Sequence, residues 1–522
     1  MENNLKILWI DDEIELLKPH IILLEQKGYN VSTATNGEDG IELVRKEHFD
    51  LIFLDESMVG LSGLDILPVL KEIDPSTPVV MATKNEAESV MEEAIGSNID
   101  DYLTKPLNPA QILAVTKKFL DSKRLRSDKL SQEYLQGFNE INRKLYEPLE
   151  WKDWVEIYQK LVAWSMELDR NPNLGFEQTL RDQWRECNAE FSRFVEKNYK
   201  RWIKDEKDKD CPLMSPEIIK HHLFPLLKNE KPTVFFVIDC MRLDQWLVME
   251  EHLRQYYYFK KDFYSAILPT ATPYARNAIF AGLYPSDIQK YYPEFWVNEV
   301  NSEDHKANAH EEQLLNLQLN RKKIKLKSNL NYIKIHDTDF GRKIEKDIAN
   351  ISKSHLTAIV INAVDMIAHS RSDFAILKEI APDESAYRSL TSSWFQHSSF
   401  FGMLKVLSEM NVNILITTDH GSIRCMRGVK VIGDRDTSTN LRYKFGKNVK
   451  AEQRHAIQIT DLKEYKLPSQ GITVNNIIAK EDYYFVYPTD YHYFLQKYKD
   501  SFQHGGISME EMICPIIKLE KR

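Results

Sequence analysis

Short apolar runs alternate with amphipathic segments along the first quarter of this 522-residue chain. Such runs, bounded by turn residues, predict β-strands at residues 6–10, 30–33, 51–54, 78–82 and 102–104. The segments between them carry apolar residues at helical spacing. Strands and helices alternating in this way predict a small doubly wound α/β domain.

A different pattern covers residues 125–228, where glycine and proline are sparse. Large apolar residues recur there at helical spacing, among them Trp151, Trp154 and Phe191. The segment 171–175, Asn-Pro-Asn-Leu-Gly, interrupts the pattern and predicts helical hairpins. An aromatic stripe of this kind usually packs into a core, although a partner or dimer face has the same appearance.

Beyond residue 228, apolar runs at 233–238, 356–361 and 412–417 are typical of buried strands. A chain of this length is sufficient for about three domains, each with its own core. We therefore predict a flavodoxin-like α/β domain, a helical connector and a larger α/β domain, over residues 1–123, 124–228 and 229–522.

The formal net charge of -9 and the sequence pI near 6.0 argue against a protein that coats nucleic acid. Two stretches, 321–327 and 435–454, are nevertheless rich in lysine and arginine. Such stretches are usually solvated surface, and the alternative is a local path for a polyanionic substrate or partner.

The cysteines lie far apart and suggest neither a disulfide framework nor a thiolate zinc knuckle: Cys187, Cys211, Cys240, Cys425 and Cys514. A reducing compartment suits them. The N-terminus lacks a basic leader, and the apolar runs are much shorter than the ~20 residues of a membrane span. We expect a soluble, cytoplasmic protein without a membrane span.

The larger α/β domain carries the residues of a two-metal site at or just after its apolar runs. They supply carboxylates, imidazoles and a hydroxyl: Asp239, Thr270 or Thr272, Asp365, His369, Asp419, His420 and His504. The carboxyl ends of parallel strands form the usual crevice of an open α/β sheet. Two metal ions held there would steady the attacking and leaving oxygens of a phosphoester displacement.

The order and surroundings of these residues resemble the alkaline phosphatase superfamily, and especially its phosphodiesterases and PglZ-type domains. The resemblance covers residues from about 231 to the C-terminus. It implies two zinc ions, the first held by Asp239, Thr272, Asp419 and His420, and the second by Asp365, His369 and His504. It also implies a zinc-dependent phosphodiesterase or phosphatase.

Thr272 is the nucleophile that this resemblance implies, because the phosphodiesterases place their threonine a fixed distance before a Gly-Leu-Tyr-Pro turn, here 282–285. Pro273 suits the first position of a helix, which would put Thr272 at a helix N-terminus that favours an anion. Where those enzymes continue with Phe-Pro-Asn, this chain has Pro-Tyr-Ala. Arg276, one helical turn past Thr272, is the candidate to supply charge to the phosphoryl oxygens instead.

The N-terminal domain has its own set of charged residues at predicted strand ends. Asp11 and Asp12 follow the first strand, Asp55 the third, and Lys105 the fifth. Three carboxylates at one crevice suit a hard cation such as magnesium. The Lys105 ammonium would neutralise a phosphoryl group placed among them.

This arrangement resembles the receiver domain of two-component response regulators over residues 4 to about 123. The resemblance implies that Asp55 accepts a phosphoryl group from a histidine kinase, with Mg²⁺ held by Asp11, Asp12 and Asp55. It also implies switch roles for Thr83, Tyr102 and Lys105, with a proline after Lys105 that is often cis. Core packing alone is an equal alternative for Tyr102.

The order of receiver, helical connector and PglZ-type domain resembles the response regulators of Bacteroidetes type IX secretion. That resemblance implies a phosphorylated regulator that forms a homodimer and whose output cleaves nucleotide-like substrates, including cyclic or linear oligonucleotides. The alternative is a phosphorylation-dependent scaffold that recruits a sigma factor or another transcription partner, with vestigial catalysis. Direct DNA binding is disfavoured, because no helix-turn-helix domain is recognised.

Overall fold

The computed structural model of the protein describes residues 5–84, 99–204, 211–229, 231–297, 308–373, 375–433, 440–469 and 474–522. Side chains at 121–127 and 372–375 are outside this description, and so is the start of the second basic stretch, 435–439. The chain divides into two compact units, Met1–Gln136 and Gly137–Arg522. The boundary falls within the first connector helix, and the later connector helices belong to the same unit as the C-terminal sheet.

The first unit is built on a parallel sheet with strand order β2-β1-β3-β4-β5. Its strands agree with the predicted ones within one residue at either end: β1 (Lys6–Ile10), β2 (Asn30–Ala34), β3 (Leu51–Asp55), β4 (Val79–Thr83) and β5 (Asp101–Thr104). The described helices of this unit are α1 (Lys18–Gln26), α2 (Gly37–Lys46), α3 (Gly63–Ile73) and α4 (Pro109–Thr116).

Alternate residues of each strand enter different cores, as the period of two requires. Leu8 and Leu54 pack into one cluster, whereas Trp9 and Phe53 pack into the other. Both faces of the sheet are thus buried, which explains why these strands read as continuous apolar runs. The prediction of a flavodoxin-like fold is confirmed.

Three long helices follow: α5 (Ser122–Leu145), α6 (Trp151–Arg170) and α7 (Glu177–Trp202). The aromatic stripe predicted here is core rather than a partner face. Trp154 and Phe191 are buried, and their rings meet edge to face with centroids 5.4 Å apart. Gly175, which separates α6 from α7, has a positive φ of 72°, a conformation that glycine adopts without strain.

The C-terminal sheet has the order β7-β19-β10-β6-β9-β8. Its strands are β6 (Thr233–Ile238), β7 (Tyr257–Ser265), β8 (Asn331–Ile335), β9 (Leu356–Ile361), β10 (Asn413–Thr418) and β19 (Ile513–Lys521). Strands β10, β6, β9 and β8 are parallel, and β19 runs antiparallel to both β10 and β7. Alternate residues of β6 again enter two cores, Phe235 on one face and Phe236 on the other.

The second unit also contains these helices: α8 (Phe224–Leu227), α9 (Leu243–Leu253), α10 (Thr272–Ala281), α11 (Pro285–Tyr291), α12 (Glu311–Arg321), α13 (Thr338–Ile351), α14 (Ala363–Asp373), α15 (Ala375–Ile380), α16 (Glu384–His397), α17 (Ser399–Ser408), α18 (Tyr491–Tyr498) and α19 (Met509–Met512). Small sheets are formed by β11 (Ile423–Cys425), β12 (Arg427–Ile432), β13 (Tyr443–Lys447), β14 (Lys450–Ala451), β15 (Ala456–Ile459), β16 (Val474–Ala479), β17 (Tyr483–Val486) and β18 (Ser501–Gln503). Within the described residues, no helix has the length and apolar character needed to cross a membrane.

Candidate metal centre and receiver site

The predicted metal ligands meet at one edge of the C-terminal sheet. Asp239 follows β6, Asp419 follows β10, and Asp365 lies in the first turn of α14, just after β9. These three strands are neighbours and parallel, so their carboxyl ends open at the same crevice. Chain topology thus brings together carboxylates that are separated by up to 180 positions in sequence.

A first cluster joins Asp239, Asp419 and His420, each with one ligand atom within 4.8 Å of the others. All three side chains are buried. The Thr272 hydroxyl lies at this cluster, with Oγ1 3.2 Å from Asp239 Oδ1 and 3.1 Å from His420 Nε2. The Nδ1–H group of His420 donates a hydrogen bond to the Gly421 carbonyl at 3.0 Å. The other ring nitrogen, Nε2, therefore keeps its lone pair.

A second cluster joins Asp365, His369 and His504. The Asp365 Oδ1 atom lies 3.3 Å from His369 Nε2 and 3.7 Å from His504 Nε2. The i, i+4 pair of Asp365 and His369 lies on one face of α14, as its spacing predicts. The ring of His504 also stacks on that of His420, with centroids 4.4 Å apart, so the two clusters are adjacent.

Buried polar atoms without partners show that these clusters fit divalent cations. Asp419 Oδ2 and His504 Nδ1 have no hydrogen-bond partner, although isolated buried polar atoms are costly. Imidazole and carboxylate ligands suit zinc. The donor set therefore fits two zinc ions, although metal binding by these residues stays a prediction.

Burial and mutual repulsion perturb the titration of the clustered groups. Burial, together with the charges of Asp419 and Asp365, raises the pKa of Asp239 to about 7. Burial and the neighbouring His420 lower the pKa of His504 to about 4, which favours the neutral ligand form. Burial acts to raise the pKa of Asp365, but hydrogen bonding and charge from His369 and His504 hold it below its ordinary range.

The turn after Asp239 has an unusual backbone that sequence reasoning missed. Cys240 has a φ of 65°, the left-handed region that residues with a Cβ rarely adopt. In this conformation its N–H donates to Asp419 Oδ1 at 3.2 Å, and the next N–H, of Met241, donates to Thr418 Oγ1 at 2.9 Å. The strained turn thus ties the β6 ligand segment to the β10 ligand segment.

The structure separates the two candidate threonines. Thr270 is fully buried, and its hydroxyl donates to the Gly506 carbonyl at 2.8 Å and accepts from the Gly505 N–H at 3.1 Å. Thr272 is partly exposed and begins α10. Pro273 is consequently the second residue of that helix rather than the first, which still leaves its missing N–H without cost.

Arg276 differs from the sequence prediction of a group that faces the phosphoryl oxygens. It is buried, with Nη1 2.7 Å from Asp239 Oδ2 and Nε 2.6 Å from Glu311 Oε1. Its guanidinium is thus directed at carboxylates, because α10 points the side chain back toward the ligand set. Glu311 also accepts from Asn308 at 3.1 Å, and Lys334 lies 3.4 Å from it.

Sequence reasoning missed Glu311 and Asn308. Glu311 looks like an ordinary acidic residue in the first turn of a helix, and only the fold shows that it is buried against Arg276. Asn308 Nδ2 reaches the Thr272 carbonyl at 3.3 Å as well as Glu311. Glu311 and Asn308 therefore link Arg276, the partner of Asp239, to the backbone of the predicted nucleophile.

The segment after His504 requires glycine. Gly505 has a φ of 112°, and a Cβ on Gly506 would lie 2.2 Å from Arg442 Nη2. Glu511 accepts from that guanidinium at 2.6 Å and from the Gly506 N–H at 2.8 Å. The Gly-Gly pair thus lets a buried ion pair fix the backbone beside the predicted ligand His504.

The receiver site lies at the carboxyl end of the N-terminal sheet. Asp11, Asp12 and Asp55 cluster with ligand atoms within 4.8 Å of one another. Lys105 Nζ lies 2.9 Å from both Asp11 Oδ2 and Asp55 Oδ1. Burial and the charge of Asp11 raise the pKa of Asp55, while Lys105 opposes them. The Lys105–Pro106 peptide bond is cis.

The predicted switch residues have different exposures. Thr83 ends β4 and is buried, whereas the Tyr102 side chain on β5 is 39% exposed. Plain core packing is therefore excluded for Tyr102. Its switch role stays a prediction.

Comparison with known families agrees with this architecture. The model of the BREX system PglZ alkaline phosphatase-like domain matches residues 218–519, more than half of the chain. The chain belongs to the PglZ family. The models of the response regulator receiver domain and the PorX response regulator linker domain match residues 7–117 and 124–203. The three matches together are those of a PorX-type response regulator with a PglZ domain, as the sequence predicted.

Individual relatives share a shorter stretch. The alginate biosynthesis transcriptional regulatory protein AlgB of Pseudomonas syringae pv. tomato is 36% identical over 124 residues, 24% of this chain and 28% of the relative. The transcriptional regulatory protein ZraR of Escherichia coli is 34% identical over 118 residues, 23% of this chain and 27% of that protein. The chain thus spans less than a third of the length of these curated relatives.

Among solved structures, the chemotaxis protein CheY4 of Vibrio cholerae is 26% identical, with a TM-score of 0.22, over 22% of this chain and 98% of that one. The response regulator DrrB of Thermotoga maritima is 34% identical, with a TM-score of 0.21, over 23% of this chain and 54% of that one. The protein combines a response regulator receiver domain with a PglZ, alkaline phosphatase-like domain.

Proposed function

We propose that the PglZ domain is a zinc-dependent phosphodiesterase for nucleotide-like substrates, including cyclic or linear oligonucleotides, and that the receiver domain controls it. The observation that carries this proposal is the position of the Thr272 hydroxyl, within 3.2 Å of Asp239 and 3.1 Å of His420. A nucleophile type beside one ligand cluster, with a second cluster adjacent, is the arrangement that in-line phosphoryl transfer requires.

Asp239, Asp419, His420 and Thr272 would hold one zinc ion, and Asp365, His369 and His504 the other. When bound, the two ions supply Lewis acidity, which lowers the pKa of a bound hydroxyl and neutralises charge on the phosphoryl oxygens. The unpaired buried atoms of Asp419 and His504 support this assignment.

Thr272 is proposed to attack the phosphorus atom of the substrate. Its Oγ1 forms a bond to phosphorus while the bond to the leaving oxygen breaks, which gives a phosphoryl or nucleotidyl threonine. The hydroxyl proton passes to solvent, because Asp239 and His420, which lie within reach of Oγ1, would be engaged as zinc ligands. Water then breaks the new bond and restores the hydroxyl.

Local structure favours an anionic substrate at this position. Thr272 is the first residue of α10, where the helix dipole and free N–H groups attract negative charge. Arg276 holds the carboxylate of Asp239 in place. Glu311 in turn fixes the orientation of Arg276.

Phosphorylation of Asp55 by a cognate histidine kinase, with Mg²⁺ bound by Asp11, Asp12 and Asp55, is proposed as the input. The contact of Lys105 with Asp55, at 2.9 Å, supports this role because a phosphoryl group on Asp55 would meet a cation already in place. We further propose that the phosphorylated protein forms a homodimer and acts in type IX secretion.

Hydrolysis of bis(p-nitrophenyl) phosphate and of short linear and cyclic oligonucleotides tests the activity. Zinc-loaded wild-type protein should release nitrophenolate and mononucleotides, whereas the Thr272→Ala variant should do neither while keeping its fold. Equal rates in the two proteins would overturn the proposal. In that case the alternative of a scaffold for a sigma factor would be favoured.

A further inference from the structure

A cavity separate from the metal centre lies in the larger unit, between the connector helices and the PglZ domain. It has a volume of about 290 Å³, close to the lower end of the range of small-molecule sites. Helices α6 and α7 contribute Tyr158 and Trp184, and the PglZ side contributes Arg242, Met426 and Glu510. None of the predicted zinc ligands lines it.

One wall of the cavity is aromatic and apolar. The rings of Tyr158 and Trp184 meet edge to face with centroids 5.8 Å apart, and Val162, Leu168 and Leu180 line the same side. Such a wall favours a flat apolar body over a hydrated ion.

The hydroxyl of Tyr158 makes no hydrogen bond with any described residue, although Tyr158 is only 1% exposed. It lies close enough to Asp244, Arg242 and Glu510, which all line the cavity, to feel their charges. A buried hydroxyl facing such a space normally finds a partner. The cavity therefore presents an unused donor and acceptor to an occupant.

Glu510 is a buried cavity carboxylate without a cation partner among the described residues. Its oxygens accept from Asn188 Nδ2 at 3.0 and 3.3 Å, and no ion pair of Glu510 is found among the described residues. Burial raises the pKa of Glu510 to about 7, which reflects the poor compensation of its charge. A cationic donor beside it would supply the missing partner.

Most arginines that line the cavity are paired with carboxylates, which disfavours an anionic ligand. Arg181 is exposed and bonds to Gln178 Oε1 instead. Arg242 pairs with Asp244 at 2.6 Å, and Arg388 pairs with Asp169 at 2.7 Å. Arg427 pairs with Glu481 at 2.7 Å. The charges of the buried Arg242 and Arg388 are balanced within the walls, so the buried part of the cavity offers the carboxylate of Glu510 rather than an unpaired cation.

We propose that this cavity binds a small aromatic cation, a planar ring bearing an amino or amidinium group that stacks near Trp184 and donates to Glu510 and Tyr158. The segment that contains Glu510 also packs beside the metal centre, because Glu510 lies against Gly421, the residue after His420. A Cβ added to Gly421 would lie 1.9 Å from the Glu510 carbonyl oxygen. An occupant bonded to Glu510 would therefore contact a residue that packs against the segment following His420.

Calorimetric titration of the full-length protein with benzamidine, an aromatic amidinium, tests the proposal at pH 8, where Glu510 is ionised. Benzamide, the neutral analogue of nearly equal shape, should bind roughly tenfold more weakly. Glu510→Gln should weaken benzamidine binding roughly tenfold, and Tyr158→Phe roughly threefold, without unfolding the protein.

Glu186→Gln is the matched control, since Glu186 is exposed on α7 and does not line the cavity. It should bind benzamidine like the wild type. Absence of benzamidine binding, equal affinity for benzamide, or an unchanged affinity in both Glu510→Gln and Tyr158→Phe would overturn the proposal. Because the readout is binding, it is independent of phosphodiesterase activity.

Discussion

Oγ1 of Thr272 lies 3.1 Å from Nε2 of His420, a residue 148 positions away in sequence. The contact puts a hydroxyl against a lone pair whose orientation is fixed by the Gly421 carbonyl. Thr270, two residues earlier, is bonded to the Gly505–Gly506 segment instead. The two threonines therefore have separable roles.

Removing the Thr272 hydroxyl should abolish turnover without unfolding the protein. We expect Thr272→Ala to lose roughly a thousandfold or more in kcat, and Thr272→Ser to retain part of it, because serine restores the attacking oxygen. Steady-state kinetics with a nitrophenyl phosphodiester would measure both. Thr270→Ala should instead lower the free energy of unfolding by about 1 kcal/mol through its lost hydrogen bonds. A fully active Thr272→Ala protein beside an inactive Thr270→Ala protein would reverse the assignment.

Loss of a ligand from the second cluster should remove one metal ion. Asp365→Ala and His504→Ala are each expected to bind one zinc ion per chain where the wild type binds two, because the coordination sphere is opened. Elemental mass spectrometry of the purified proteins would count the ions. His221→Ala is the control, since His221 is half-exposed and belongs to neither cluster. Two zinc ions in all four proteins would contradict the ligand assignment.

Glu311 is expected to act as a positioning residue behind the metal centre. Glu311→Gln leaves the buried Arg276 without one of its carboxylate partners, which should destabilise the protein by about 3 kcal/mol. The loosened Arg276 should also weaken zinc binding at Asp239 by roughly tenfold. Urea unfolding and competition with a chelator would measure the two effects.

Glu312→Gln provides the matched control for Glu311→Gln, because Glu312 is exposed in the same helical turn. It should behave like the wild type in both measurements. A stability loss in Glu311→Gln with unchanged zinc affinity would show that Glu311 supports the fold alone.

Apolar patterning predicted the central strands well because these strands are buried on both faces. β6 and β9 agree residue for residue with the predicted runs at 233–238 and 356–361, and β10 is displaced by one residue. Placement of ligand types at the ends of these strands was also readable, because parallel strands share one carboxyl edge. The structure accordingly brings Asp239, Asp419 and His420 within 4.8 Å.

The sequence did not predict the contacts of residues that lie away from the ends of the sheet strands. Glu311, Asn308 and the left-handed Cys240 have no local signature, since their importance arises from tertiary neighbours. Arg276 was predicted to supply charge to the phosphoryl oxygens, and its carboxylate partners were not foreseen. The connector was predicted over residues 124–228, and two of its three long helices, α6 and α7, lie in one compact unit with the C-terminal sheet.

Phosphorylation of the receiver should change assembly. The phosphate mimic beryllofluoride, with Mg²⁺, is expected to convert the wild type to a homodimer, because charge at Asp55 attracts Lys105 and Thr83 and alters the face that carries Tyr102. Light scattering should report a doubled mass for the wild type and no change for Asp55→Ala. An identical mass for the wild type and Asp55→Ala, each with and without beryllofluoride, would show that the receiver does not control assembly.

The central claim is that Thr272 forms a covalent bond to the phosphoryl group of a diester during turnover. Acid quenching of the zinc-loaded protein during hydrolysis of a dinucleotide, followed by mass spectrometry of its peptides, tests this most directly. The account predicts a nucleotidyl group on the peptide containing Thr272, present in wild type and absent in Thr272→Ala. Sustained dinucleotide hydrolysis by Thr272→Ala, or an adduct on another residue, would contradict it.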